Sequence, residues 1–345
     1  MARPDLTVRG GGIFGLCIAY ETARRGARVR LIEAHAIGGG ASGGVVGALA
    51  PHVPESWNAK KQFQLDSLLI APTFWNAIAQ TANLPTGYAR TGRLQPIPDE
   101  AALTVAHQRS LTAATLWQDH ARWTVIPTTN APWQLHSPTG YLIHDSLTAR
   151  IHPILALTAL AAALRAHGGE IIIGNAPDQG PVIWATGTDG LNDLNTALAR
   201  KIGSGVKGQA LTLRHHAAHL PQLLIDGLHI VPHDDGTVAI GSTSEPQWTD
   251  ATSTDALLDA LLQKARAALP ILQNAPVLQR WAALRPRATS RAPLLGNWPH
   301  RPGHYIANGG FKIGFGMAPK VAQVMVDLVL DQHDTIPADF RMPDG

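Results

Sequence analysis

The first thirty-three residues confine the fold more tightly than any other stretch. A short apolar run containing Leu6 and Val8 leads into Gly10-Gly11-Gly12-Ile13-Phe14-Gly15, and a second run, Arg28-Val29-Arg30-Leu31-Ile32, ends on Glu33. This spacing predicts a strand, a G-x-G-x-x-G turn, a helix and a second strand that ends on a carboxylate. Gly10 permits the tight turn, Gly12 lets the backbone approach a pyrophosphate, and Gly15 lets the helix lie close on the sheet. N–H groups at the helix start, around Ile13 and Phe14, favour phosphate charge. Glu33 is spaced to accept hydrogen bonds from a ribose diol. A glycine-rich turn alone arises for many reasons, but both strands, the helix and the acid together describe a dinucleotide-binding βαβ unit.

The rest of the composition narrows the class. A chain of 345 residues with 45% hydrophobic and 15% charged residues buries a sizeable core, in two domains or one large one. Net charge is only +3, with pairs such as Arg24-Arg25 and Lys60-Lys61 but no run of five basic residues. No dedicated nucleic-acid surface is visible, although folding can gather scattered arginines, so nucleic acid is not excluded as a partner. The single cysteine, Cys17, sits among Leu16, Ile18 and Ala19 in the first helix and reads as a small core residue in a reducing compartment. No apolar run approaches the roughly 18–20 residues of a membrane span, and 13–20 lacks a signal-peptide cleavage site, so a cytoplasmic location is expected. His215, His216 and His219 cluster without Cys, Asp or Glu at ligand spacing, so no metal is expected. No G-x-S-x-G nucleophile turn is present.

Along the chain, 57–80 repeats Phe63, Ile70, Phe74 and Ile78 near helical spacing. Strand-like pieces follow at 92–97, 123–126 and 141–143, then an alanine-rich helix at 154–167 and strands at 170–173 and 182–185. A β-rich stretch covers 205–241, an amphipathic helix 255–269, and the chain closes with a strand at 305–307 and a helix over 319–330. Sheet pieces that alternate with nucleotide-binding elements imply two interleaved domains.

Six later motifs combine with the fingerprint. They are Gly40-Ala41-Ser42-Gly43 with Gly47-Ala48-Leu49-Ala50-Pro51; Val182-Ile183-Trp184-Ala185-Thr186-Gly187; Val206-Lys207-Gly208-Gln209; the segment from His229 to Gly241; Leu284-Arg285-Pro286 with Pro293-Leu294-Leu295-Gly296; and Asn308-Gly309-Gly310-Phe311-Lys312-Ile313-Gly314. Together they resemble the FAD-dependent D-amino-acid oxidase superfamily, and within it the glycine oxidase type, over nearly the whole chain.

The resemblance implies an α/β, Rossmann-like FAD-binding domain of the glutathione-reductase type. It would be interleaved with an α+β substrate domain that carries a mixed antiparallel sheet. The expected segments are 1–80, 140–205 and 290–345 for FAD, and 81–139 and 206–289 for substrate. It further implies non-covalent FAD, since no cysteine near the C-terminus matches the flavin-carrying one of covalent sarcosine oxidases. The implied contacts are Gly10, Gly12, Ile13, Phe14, Gly15, Glu33, Ala41, Ser42, Gly47, Leu49, Thr186, Gly187, Gly310, Phe311, Lys312 and Ile313 with the cofactor. Small residues in the 40–51 loop would leave room for the flavin. Arg285 would bind a substrate carboxylate with two parallel hydrogen bonds, near His229, Lys312 and His52. His229 stands where glycine oxidase has a tyrosine and Lys312 where it has an arginine, so glycine itself is not the expected substrate.

The implied reaction oxidises the C–N bond of an amine by hydride transfer to flavin N5. The imine is then hydrolysed, and dioxygen or another acceptor takes the electrons. Two alternatives use the same motifs: removal of a carboxymethyl group from a tRNA wobble uridine, and a non-catalytic flavoprotein subunit.

Overall fold

The computed structural model describes residues 3–342, so residues 1–2 and 343–345 of the expected terminal segments lie outside the described residues. Two large sheets organise the chain. One contains β1 (Leu6–Arg9), β2 (Val29–Glu33), β8 (Glu170–Ile173), β9 (Val182–Trp184), β15 (Leu294–Asn297) and β16 (His304–Asn308). Its order is β15-β16-β9-β1-β2-β8, parallel throughout except for the β15–β16 pair. The other contains β4 (Arg93–Pro96), β5 (Trp123–Pro127), β6 (Tyr141–Asp145), β10 (Gly203–Arg214), β11 (Gln222–Ile225), β12 (Leu228–Pro232), β13 (Thr237–Gly241) and β14 (Val277–Ala288). Its order is β14-β10-β13-β12-β11-β4-β6-β5, antiparallel apart from the β11–β4 pair. A short pair, β3 (Ala48–Leu49) with β7 (Ala149–Arg150), ties the loop after β2 to the return from β6.

The helices are α1 (Ile13–Arg24), α2 (Ala59–Ala82), α3 (Glu100–Trp117), α4 (Pro153–Ala166), α5 (Gly187–Ala197), α6 (Ala256–Ala268) and α7 (Gly314–Leu330). Helix α1 is buried from Ile13 to Ala23 because it touches the parallel sheet, α4 and α7, and its sequence is accordingly apolar nearly all round. Gly26 ends it with φ +85°, and the N–H of Ala27 returns to the Thr22 carbonyl. Cys17 is fully buried in this helix. No described helix is long and apolar enough to cross a membrane.

The structure moves several expected boundaries. Strand β6, expected with the FAD segments from 140 onward, pairs with β4 and β5 in the antiparallel sheet. The chain therefore crosses back only after residue 145, because the Arg93–Asp145 pair holds that strand in the second sheet. Strand β10 likewise starts at Gly203, before the expected crossing at 206. Helix α7 begins at Gly314, five residues before the expected start. Pro319 is accommodated inside it, buried, at the loss of one backbone donor. Helix α3 was not legible as periodicity, since only Ala106, Ala113 and Trp117 of its eighteen residues are buried.

Candidate active site

A cleft of about 1040 Å³ runs between the two sheets and collects most of the predicted site residues. At one end the glycines of the fingerprint shape the backbone. Gly10 has φ +106°, and a Cβ there would lie 2.3 Å from the carbonyl oxygen of Ala185 at the end of β9. Gly15 lies beneath the cleft, where a Cβ would come within 1.9 Å of the Gly10 carbonyl oxygen, so helix and turn meet backbone to backbone. Glu33 lines the cleft and accepts hydrogen bonds from the N–H groups of Gly11 (2.6 Å) and His35 (2.9 Å). Ser42 Oγ accepts from the Ile13 N–H at 3.0 Å, which brings the 40–51 loop against the start of α1. Ala41, Gly47 and Leu49 also line the wall. Gly47 is also required by its backbone: it has φ +64°, and a Cβ would meet the Ile151 carbonyl oxygen at 1.8 Å.

Three helices begin at this cleft. Gly12 precedes α1, Thr186 precedes α5 and Ile313 precedes α7, and none of these residues caps its helix with a side chain. All three lie in the cleft wall, as do the adjoining Phe14, Gly187, Gly310, Phe311 and Lys312. The positive ends of three helix dipoles therefore face one space, an arrangement suited to phosphate and to negative charge developing on a ring. The Thr186 hydroxyl is buried there without a protein partner. Asn308 Nδ2 donates to the Gly187 carbonyl at 2.8 Å, and the Phe311 N–H to the Pro286 carbonyl at 3.0 Å. The first of these bonds joins residues 121 apart in the chain, and together they bring three motifs into one surface.

At the other end, Arg285 on β14 is 8% exposed. Its Nη1 donates to the Thr243 carbonyl at 3.1 Å, and its Cζ lies 5.8 Å from the centroid of the Trp281 ring. Among the described residues no carboxylate forms an ion pair with it, so it is not a structural salt bridge. Burial pushes its pKa down to about 10, partly offset by Glu245. His229 on β12 also lines the cleft. Burial, and then the charges of Arg93, Lys312 and Arg285, push its pKa down to about 4, so the ring is neutral at pH 7. Lys312 stands exposed at the rim, its Nζ 5.7 Å from the centroid of the Phe311 ring.

His52 is the one expected substrate contact that the structure does not bring to the cleft wall. Its N–H is held by Gln64 Oε1 at 2.9 Å, and it is Gln64 that lines the cleft. Conversely, Arg93 and Trp281 line the cleft without having been singled out by any motif. Of the histidine group, His215 stacks on Trp133 with centroids 5.8 Å apart and planes within 5°, a packing role. Among the described residues no group of three or more His, Cys, Asp or Glu side chains is arranged to hold a metal.

The cleft loop is pinned from behind by His233, which is fully buried. A carbonyl only accepts, so Nε2 of His233 donates to the Val45 carbonyl at 3.0 Å and Nδ1 is the bare nitrogen. Burial and the neighbouring His152 push its pKa from 6.5 down to about 4. A base depressed on folding is protonated first in the unfolded chain, so this group withdraws stability as pH falls from 6.5 and levels off below 4. The full loss is about 3 kcal/mol. Urea unfolding across pH 6 to 5 should show a slope reduced by up to about 1.4 kcal/mol per pH unit in His233→Gln. An unchanged slope would contradict the assignment.

Residues 5–328 match the family described as DAO, FAD dependent oxidoreductase. The chain belongs to this family, and it is an FAD-dependent oxidoreductase. A curated relative, glycine oxidase of Pseudomonas putida, is 26% identical over 373 aligned residues that cover 99% of this chain and 98% of the relative. Among solved structures, glycine oxidase from Geobacillus kaustophilus superposes with a TM-score of 0.86 at 20% identity, covering all of both chains. Iminodiacetate oxidase from Chelativorans superposes with a TM-score of 0.84 at 20% identity, covering 99% of this chain and all of the other.

The residues present fit FAD. The backbone cradle at Gly10 and Gly12, the Glu33 carboxylate and the start of α1 suit the pyrophosphate and ribose. The starts of α5 and α7, with the unpartnered Thr186 hydroxyl, lie along the same cleft.

Proposed function

We propose that the protein oxidises the C–N bond of a small amine that carries a carboxylate, with FAD held non-covalently. The observation that carries this reading is Arg285: a guanidinium buried in the cleft wall, free of any carboxylate partner among the described residues. A buried cation of this kind is costly until an anion meets it, and a planar fork meets a carboxylate with two parallel bonds. Clamped there, the carboxylate fixes the adjoining carbon and amine in place, which is where the protein's share of the rate arises.

Bound FAD would supply the electron-accepting chemistry, with a hydride leaving the substrate's α-carbon for N5. His229, neutral at pH 7, offers a hydrogen bond beside the amine and is too weak a base to keep the amine's proton. That proton must leave to solvent before oxidation. Lys312 and the start of α7 add positive potential to the cleft, where negative charge would develop on reduction. Non-covalent attachment is supported by the sole cysteine, Cys17, which lies fully buried in α1 with its thiol pushed well above its usual range by burial.

The test is anaerobic bleaching of the flavin absorbance by glycine, sarcosine, D-amino acids, N-alkyl glycines and carboxymethylaminomethyl-modified tRNA. At least one small carboxylated amine should reduce the flavin within seconds. Bleaching by tRNA alone would favour nucleic-acid modification. Failure of every amine would refute amine oxidation and favour a non-catalytic flavoprotein. Subsequent admission of air separates dioxygen from another acceptor.

A further inference from the structure

We infer that the cleft contains a second anion-binding subsite, built on Arg93, and that the substrate is an amine bearing two acidic groups. The inference rests on the amine-oxidation reading and extends it from one carboxylate to two.

Arg93 opens β4 and is 5% exposed, yet it lines the cleft. Its Nε donates to Asp145 Oδ2 at 3.0 Å, and Asp145 is fully buried with its Oδ1 accepting from the Thr148 N–H at 2.8 Å. Arginine–carboxylate pairs are frequently bidentate, through two parallel N–H groups. Here Asp145 takes Nε alone, and among the described residues Nη1 and Nη2 have no hydrogen-bond partner. The tether fixes the plane of the guanidinium and leaves its outer edge to whatever fills the cleft.

The surrounding charge has one sign. The antiparallel sheet contributes Arg93, His229 and Arg285 to the cleft wall and no acidic side chain. The carboxylates that do line the cleft, Glu33, Asp189 and Asp193, belong to β2 and α5 on the nucleotide side. In the sheet order, His229 on β12 stands between Arg285 on β14, three strands away or about 14 Å of sheet, and Arg93 on β4, two strands away or about 10 Å. The two guanidiniums must therefore reach inward toward His229 to share one ligand. The charges of both arginines reach His229, and with burial they keep it neutral. A substrate with its first carboxylate on Arg285 would thus pass His229 and present a second acidic group to Arg93. N-carboxyalkyl amino acids and amino diacids have this form; glycine and sarcosine do not.

Carboxyalkoxyacetates test the subsite without turnover, because an ether oxygen replaces the oxidisable amine. The flavin difference spectrum of the holoenzyme would be titrated with members carrying arms of increasing length, against ethoxyacetate as the monoacid. Arg93→Met alone would strand the buried Asp145, so it is combined with Asp145→Asn, whose amide oxygen still accepts from Thr148. The wild type should bind its best diacid at least about tenfold more tightly than ethoxyacetate. In the double variant that preference should fall below about threefold while ethoxyacetate binds as before. Equal binding of monoacid and diacids by the wild type, or a preference that survives in the double variant, would overturn the subsite. If no amine bleaches the flavin but the diacid preference and its loss are seen, amine oxidation fails and the subsite stands.

Discussion

Arg285→Met should raise KM for the amine that bleaches the flavin fastest by roughly 10² to 10⁴-fold. This is the loss of two charge-assisted hydrogen bonds at about 1.5–3 kcal/mol each. The protein itself should not suffer. Among the described residues Arg285 has a carbonyl and an indole for neighbours and no carboxylate ion pair. Removing it takes away a buried charge that Glu245 only partly offsets, which leaves stability unchanged or higher. FAD content and melting temperature should therefore match the wild type while KM rises. If FAD is lost in proportion to activity, Arg285 acts on the cofactor and the substrate assignment is wrong. A wild-type KM in this variant would remove the central support for the proposed function.

A second large effect is expected from a residue that touches no ligand. A Cβ at Gly208, on β10, would lie 1.8 Å from Nη1 of Arg285 and 2.1 Å from its Cζ. The strand register sets this: Val206 faces Arg285 across the β10–β14 pair, so Gly208 is its diagonal neighbour and the guanidinium lies over it. Because the obstructed atoms are the end of a flexible side chain, Gly208→Ala should fold and load FAD normally. The guanidinium would shift by an ångström or more, and misplacement of that size costs on the order of 10²-fold in catalysis. Steady-state kinetics should show this in KM before kcat, with Gly208→Ala adding little in an Arg285→Met background. An additive effect in the double variant would mean that Gly208 matters for the fold and not for placing Arg285.

Gly208 also shows what could be read from the chain alone. It was legible as part of a motif, but its partner was not, because nothing in one dimension says that β10 and β14 are joined through eleven residue pairs. The same holds for Gly47, which lines the cleft as the motif implies but also leaves room for the Ile151 carbonyl, a constraint no local spacing reveals. His52 follows a cleft-lining loop in sequence, yet Gln64 on α2 takes its backbone N–H and is the residue that lines the wall. Arg93 carried no signal at all. Its partner Asp145 lies 52 residues away, and only their pairing on adjacent strands turns an ordinary Arg-Leu-Gln-Pro stretch into a tethered cation.

Local spacing determined the βαβ unit from Leu6 to Glu33, because a glycine turn, a helix start and a strand-end carboxylate are each set within a few bonds of backbone. It also marked most of the segments that line the cleft. The tertiary structure decided which of them share a surface: Asn308 with Gly187, Phe311 with Pro286, and Arg285 with the space above Gly208. It also decided which charges are left without a counter-ion. Pairing, burial and neutralisation depend on residues far apart in the chain, and those distances are set only when the two sheets close over one cleft.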